Sequence, residues 1–445
     1  MSVSYIGGAA LAAFALGAAL PAAAQTSCAP LERTAPQEIG RYPAYTLDMV
    51  MGLVKNVSPE VRAMAFEAVA RSHEARQAGL WSNPVLSFEV EDFGGGRFEG
   101  GSPLAGFDAA ETTLSIGQTF RLGNKRRLER LAALARTELA EADRDVVLRL
   151  LQQDAAQLFF ELAASEQAAR LASEAAVLSQ QLTGAVAARV EAGKSPRTAL
   201  DRARAATAEA LAQARAAEAE TERLRFTLSS LWGGMEPVRI AGDDLMGAID
   251  LPAPATLAER IETHPEHRRA EAGRDATLAE RRAARAQAFP DVTTTLGVRR
   301  FEADASEALV AGISLPLPLF DRSQGRVRAA SARNKGAAYE ADIVRARLVA
   351  AAARASSTAR ILDQRRAVLV EDALPAARAA AEAARIGYEA GKFDLTTALD
   401  AQSAFLAAQR SAVSSALATR IAETELKALA ALPPFSTSYC AEDRR

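Results

Sequence analysis

With 445 residues the chain has room for two or three domains. Hydrophobic residues make up an ordinary 49%, but aromatics only 5%, and much of the apolar fraction is alanine, which favours close-packed long helices over a bulky globular core. A net charge of −2 gives no reason to expect a nucleic-acid partner.

Residues 1–24 read as a secretory signal: Ile6 to Leu20 is apolar and small, and Ala22-Ala23-Ala24 offers a cleavage site before Gln25. Met1 to Tyr5 lacks the usual Lys or Arg, and a single membrane anchor is the competing reading. No later stretch approaches the ~20 apolar residues of a spanning helix. The two cysteines, Cys28 and Cys440, stand at opposite ends of the mature chain. In an oxidising compartment a disulfide between them is one reading. Acylation of Cys28 is the other, although Gln25-Thr26-Ser27 makes a poor lipidation site.

Two helices are expected at Tyr45 to Val54 and Pro59 to Gly79, the second with Ser58 as N-cap and Pro59 at its first position. Val85 to Val90 and Thr112 to Phe120 alternate with a period of two and read as strands around a Gly-rich loop. From Asn124 to Arg189 there is no proline and only Gly184 as glycine, so one helix of roughly 100 Å is expected. It ends at Val190-Glu191-Ala192-Gly193-Lys194, where Gly193 suits a C-cap, and a second helix returns from Pro196.

The order then recurs. A helix from Glu266 to Ala288 precedes alternating Val292 to Val298 and Leu309 to Leu317. A long helix runs from about Gln324 to Tyr388-Glu389-Ala390-Gly391-Lys392, and Leu395 to Leu432 returns. Glu-Ala-Gly-Lys stands at both turns, and Thr-Ala-Leu-Asp follows each. The expected organisation is a tandem duplication: residues 25–240 form one helix–hairpin–helix–helix repeat, 241–432 the second, and 433–445 a tail. Pro375 falls inside the second long helix; a bent single helix is preferred there over a boundary between two.

Each repeat supplies one hairpin with an apolar and a small-polar face, the pattern of a membrane barrel. A soluble two-layer sheet is the alternative, but the flanking helices are too long to fold back as a cover. Four strands cannot close a barrel, and lipid tolerates no open edge. Other copies of the chain must therefore supply the rest.

Several pieces together resemble the outer-membrane efflux protein family, the TolC-like channel-tunnels. They are the duplicated layout, Gln77-Ala78-Gly79 with Asn83-Pro84, Gly-Asn-Lys-Arg at 123–126, His264-Pro265-Glu266, Leu315-Pro316-Leu317-Pro318-Leu319-Phe320-Asp321, and the repeated tips. The cobalt–zinc–cadmium cation branch is the most similar. The resemblance implies a mainly α fold with a small β part: a homotrimer whose 12-stranded transmembrane β-barrel, four strands per subunit, continues as a long periplasmic α-helical barrel. It implies a passive conduit in the bacterial outer membrane, without cofactor or enzymatic activity, working with a periplasmic membrane-fusion adaptor and an inner-membrane RND pump. The tip residues Val190 to Lys194 and Tyr388 to Lys392 would dock the adaptor. Asp400 falls where the family places an acidic constriction ring; the family's second acidic position is Thr397 here, with Asp394 as a substitute in a different register. Asp400 as an ordinary solvated acid stays open. A channel for type I protein secretion or multidrug export is the alternative within the family, and a periplasmic coiled-coil adaptor or scaffold the alternative outside it.

Glu89, Glu91 and Asp92 are candidates to line the barrel lumen, or are charges ordinary for such a surface. Arg121, Lys125, Arg126, Arg127 and Arg130 gather at a helix start, against the dipole preference, as a headgroup contact or a solvated face. His264 and His267 have a spacing open to metal, but a helix start is the preferred reading.

Overall fold

The computed structural model describes residues 43–93, 110–241, 245–253, 259–430, 432 and 435. The signal segment and the Cys28–Cys440 pair lie outside them. Strand β1 (Ala44–Tyr45) pairs in parallel with β4 (Arg239–Ile240), nearly two hundred residues later. Tyr45 is therefore in a bridge strand, with its ring 5.9 Å from that of Trp232, and not in the helix expected there. Helix α1 (Leu47–Val57) starts two residues on, where the Thr46 hydroxyl accepts from Met49 N. Helix α2 (Pro59–Ala78) begins on Pro59, whose fixed φ and missing N–H suit a first turn; the Ser58 side chain makes no capping bond.

Strands β2 (Val85–Glu91) and β3 (Glu111–Arg121) precede α3 (Lys125–Glu191), a 67-residue helix, and α4 (Arg197–Ser230) returns along it. After β4 the second half repeats the order: α5 (Pro265–Ala286), β5 (Asp291–Phe301), β6 (Ser306–Ser314), α6 (Gln324–Ala367), α7 (Leu374–Glu389) and α8 (Leu395–Leu429). Both long helices begin from a left-handed residue, Asn124 at φ 60° and Ser323 at φ 58°. The returning helices have 34 and 35 residues.

Between α6 and α7 the chain stays helical but widens into six π-helical residues, Val368–Ala373, ending two residues before Pro375. A proline ring collides with the carbonyl four residues back, and a wider turn relieves that clash without breaking the helix. The continuous helix expected over this stretch is present, carried past proline by a change of pitch.

The four longer strands form one antiparallel sheet in the order β2-β3-β5-β6, so the two hairpins join through β3 and β5. Below it α2 packs on α3, α3 on α5, and α5 on α6, the same order continued in helices. The largest core lies where α1, α3, α4 and α8 meet, with Val50, Leu148, Phe159, Leu228 and Ala416 buried. A smaller one joins α6 to α8 through Ala352, Ala355, Ala359, Ala422 and Leu426. Alanine lets helices this long approach closely along their length, which explains why aromatics are so few.

Candidate functional site

Directly opposed residues in an antiparallel sheet share a face. The register therefore groups Leu86, Phe88, Leu114, Ile116, Leu296, Val298, Leu309 and Ile313 on one side. These side chains are uncovered: Leu86 is 71% exposed, Phe88 69%, Leu309 82% and Ile313 79%. Burying such a face recovers about 25 cal/mol per Å², so a bare one of this extent calls for an apolar surrounding. The opposite side carries Ser87, Glu89, Glu91, Glu111, Thr113, Ser115, Gly117, Thr295, Gly297 and Arg299. Both edges, β2 and β6, are unpaired among the described residues. No helix of the described residues is long and apolar enough to cross a membrane.

On the polar side Glu91 and Glu111 stand directly opposite each other. Like charges so placed repel, and Arg299 separates them: its guanidinium is 2.9 Å from Glu91 and 2.8 Å from Glu111, while Nε donates to Thr113 Oγ1 at 2.9 Å. Glu89 is exposed on the same side. The sequence reading named Glu91 and missed both Glu111 and the arginine between them, although the alternation of β5 puts Arg299 with Thr295 and Gly297.

At the far ends of the helices the two Glu-Ala-Gly-Lys turns fold alike. Gly193 has φ 68° and Gly391 φ 75°, a region closed to most side chains. Lys194 N donates to Arg189 O, and Lys392 N to Gly387 O, each at 2.8 Å, closing two Schellman motifs. Glu191, Ala192, Gly193, Lys194, Glu389, Ala390, Gly391 and Lys392 are exposed, and Val190 is half-buried. Tyr388 departs from the expectation of a surface residue. It is 3% exposed, packed with Leu182, Val186, Ala203 and Ala398, because the two tips lie side by side and need an apolar filler. Arg189 ties them: Nη1 donates to the Tyr388 carbonyl at 3.1 Å, and the guanidinium lies 5.0 Å from the ring centroid.

A family model described as outer membrane efflux protein matches residues 50–234 and 257–432. The chain belongs to the outer membrane efflux protein family. The cobalt-zinc-cadmium resistance protein CzcC of Cupriavidus metallidurans is 28% identical over 358 residues, 80% of this chain and 83% of that one. The nickel and cobalt resistance protein CnrC of the same organism is 32% identical over 316 residues, 68% of this chain and 71% of that protein. Among solved structures, CusC has a TM-score of 0.72 at 18% identity, covering 87% of this chain and 92% of its own. The open-state MtrE outer membrane channel of Neisseria gonorrhoeae reaches 0.72 at 20% identity, covering 89% and 91%. The fold is that of the channel-tunnels, and this efflux protein resides in the outer membrane.

The remaining expected residues of the efflux protein fall as follows. Asp394 is the N-cap of α8, and its carboxylate accepts from Thr397 N at 2.8 Å; the Thr397 side chain first, and this backbone bond second, hold its pKa below the usual aspartate value. Thr397 and Asp400 are exposed on α8, three residues apart and so on one stripe. Lys125 corrects the reading of the basic helix start as headgroup contact or solvated face. It is 4% exposed and bonds Asp291 at 2.7 Å, fastening α3 to the base of β5 across the two halves. Arg121 pairs with Glu129, and Arg126 lies 4.0 Å over the Trp81 ring. His264 is a helix start: its Nδ1 accepts from Glu266 N at 3.2 Å. Burial, with Arg149 and His267 nearby, lowers its pKa to about 3. Among the described residues no group of three or more His, Cys, Asp or Glu is arranged to hold a metal.

Proposed function

We propose that three copies of this efflux protein complete a 12-stranded barrel, apolar face to lipid and polar face to the lumen, and serve as the passive outer-membrane conduit of a metal-cation pump. The observation that carries this reading is the four-stranded sheet, with one bare apolar face and two unpaired edges. In lipid every backbone N–H and C=O must find a partner, so an open sheet needs copies of itself. Four strands each from three subunits give a lumen of solute width, with Glu89 and Glu91 on its wall.

The exposed tip residues around Gly193 and Gly391 are the proposed docking surface for a periplasmic adaptor, which links the conduit to an inner-membrane RND pump. Asp400, repeated three times about the axis, would place a cation-attracting ring near the tip end. Asp394 is engaged as a helix cap, which weighs against its supplying a second ring. Metal cargo is supported by the resistance proteins that are 28% and 32% identical to this chain over the 358 and 316 residues they align with. The conduit performs no chemistry of its own in this reading.

Recording from purified protein in planar lipid bilayers tests the conduit. Survival of cells with and without the gene on cobalt, zinc or cadmium salts tests the cargo. A protein that gives no current removes the first half of the proposal; unchanged survival on all three metals removes the second.

A further inference from the structure

The fork of Arg299 toward two carboxylates has a consequence for cation passage, on the reading that the polar face lines the lumen. Glu91 and Glu111 face each other near the end of the sheet remote from the helices, and each reaches the same guanidinium within 3 Å. Two carboxylates held on one guanidinium are oxygen donors that, freed of it, can bind a divalent cation together. A conduit needs the opposite property, since conduction requires binding weak enough for the ion to leave.

We propose that Arg299 is a specificity-determining residue of the pore wall: a built-in counter-cation that keeps Glu91 and Glu111 from capturing the divalent ions passing them. Its geometry suits the task. All three contacts use the rigid plane of one guanidinium, Nε to Thr113 Oγ1 and the two terminal nitrogens to one acid each. Thr113 is the residue directly across from Arg299 on β3, so this bond fixes the stem while the fork spans the neighbouring acids. Arg299 is 29% exposed and the acids 44% and 27%, so all three line an accessible surface. Lysine's three donors sit on a single nitrogen, so it lacks the planar fork that reaches separated acceptors in a fixed geometry. With Arg299 in place, the wall keeps a net negative potential from Glu89 and one unbalanced acid, which attracts cations without a dicarboxylate cage to hold them.

The test pairs two measurements on the full-length protein in detergent and in planar bilayers, with Co²⁺ as probe. Arg299→Gln is expected to bind Co²⁺ at least tenfold more tightly than the native protein by calorimetry, and to be blocked at correspondingly lower Co²⁺. Adding Glu91→Gln returns both to the native values. Arg299→Lys, which keeps the charge and guards against a folding failure of the glutamine variant, is expected to gain about threefold. Native-like Co²⁺ binding in the lysine variant, or in a folded glutamine variant, overturns the proposal. Tighter Co²⁺ binding without pore current in any variant, native included, upholds the role of Arg299 in blocking capture and refutes the channel reading alone.

Discussion

Truncating Arg189 to alanine is expected to loosen the join between the two helix tips. Two interactions are lost. The first is the charge-assisted bond from Nη1 to the Tyr388 carbonyl at 3.1 Å, in a class contributing about 1.5–3 kcal/mol. The low end applies, because that carbonyl also accepts from Gly391 N at 2.9 Å and is not stranded. The second is the guanidinium over the Tyr388 ring at 5.0 Å, about 0.5–1 kcal/mol for a partly exposed pair. Together they make about 2 kcal/mol, or roughly a 30-fold shift toward parted tips at 1.4 kcal/mol per factor of ten. If parting of the tips limits conduction, Arg189→Ala channels in planar bilayers should populate the fully conducting level far more often than native ones. Arg189→Lys keeps the charge but loses the stack and should lie between. Native-like open times in Arg189→Ala, with assembly intact on a gel, would refute the reasoning: the tip contacts would then be held by Tyr388 packing alone.

Two further outcomes follow from buried polar groups. Burial pushes the His264 imidazole down to about 3 in the folded protein against 6.5 for an ordinary one, so the unfolded chain binds the proton better between these values. The stability it contributes is whole above pH 6.5 and is lost as pH falls toward about 3; His264→Asn, which keeps a capping side chain, should flatten that slope in thermal melts across the interval, and parallel slopes would contradict it. Asp291→Ala strands the ammonium of Lys125, whose side chain is 5% exposed; breaking a buried pair costs 3–5 kcal/mol, and about 3 is expected here because Asp291 is a third exposed. Replacing the pair together, Lys125→Met with Asp291→Leu, should recover most of that loss in denaturant midpoints measured in detergent; equal midpoints for the single and double variants would show the pair is uncoupled.

The amino-acid sequence alone determined what depends on neighbours along the chain. Periodicity of two marked all four long strands and their two faces, since side-chain direction alternates whatever the partner is; the fourth was placed three residues late, at Leu309 to Leu317 against Ser306–Ser314, because its start is fixed by pairing with β5. The proline-free run marked α3, and the repeated Glu-Ala-Gly-Lys marked two turns whose glycines do take positive φ. Only the tertiary structure decided which residues meet across large separations. Tyr45 left the expected helix because Arg239–Ile240 offered it a ladder partner. Tyr388 went inward because a second tip lay beside it, and Lys125 did so because Asp291 began β5 at its side. Arg299 became the partner of two acids only once β2, β3 and β5 were in register. Local pattern sets which way a side chain points, but its charge partner and its burial are properties of the pairing, and pairing joins segments that the chain itself keeps two hundred residues apart.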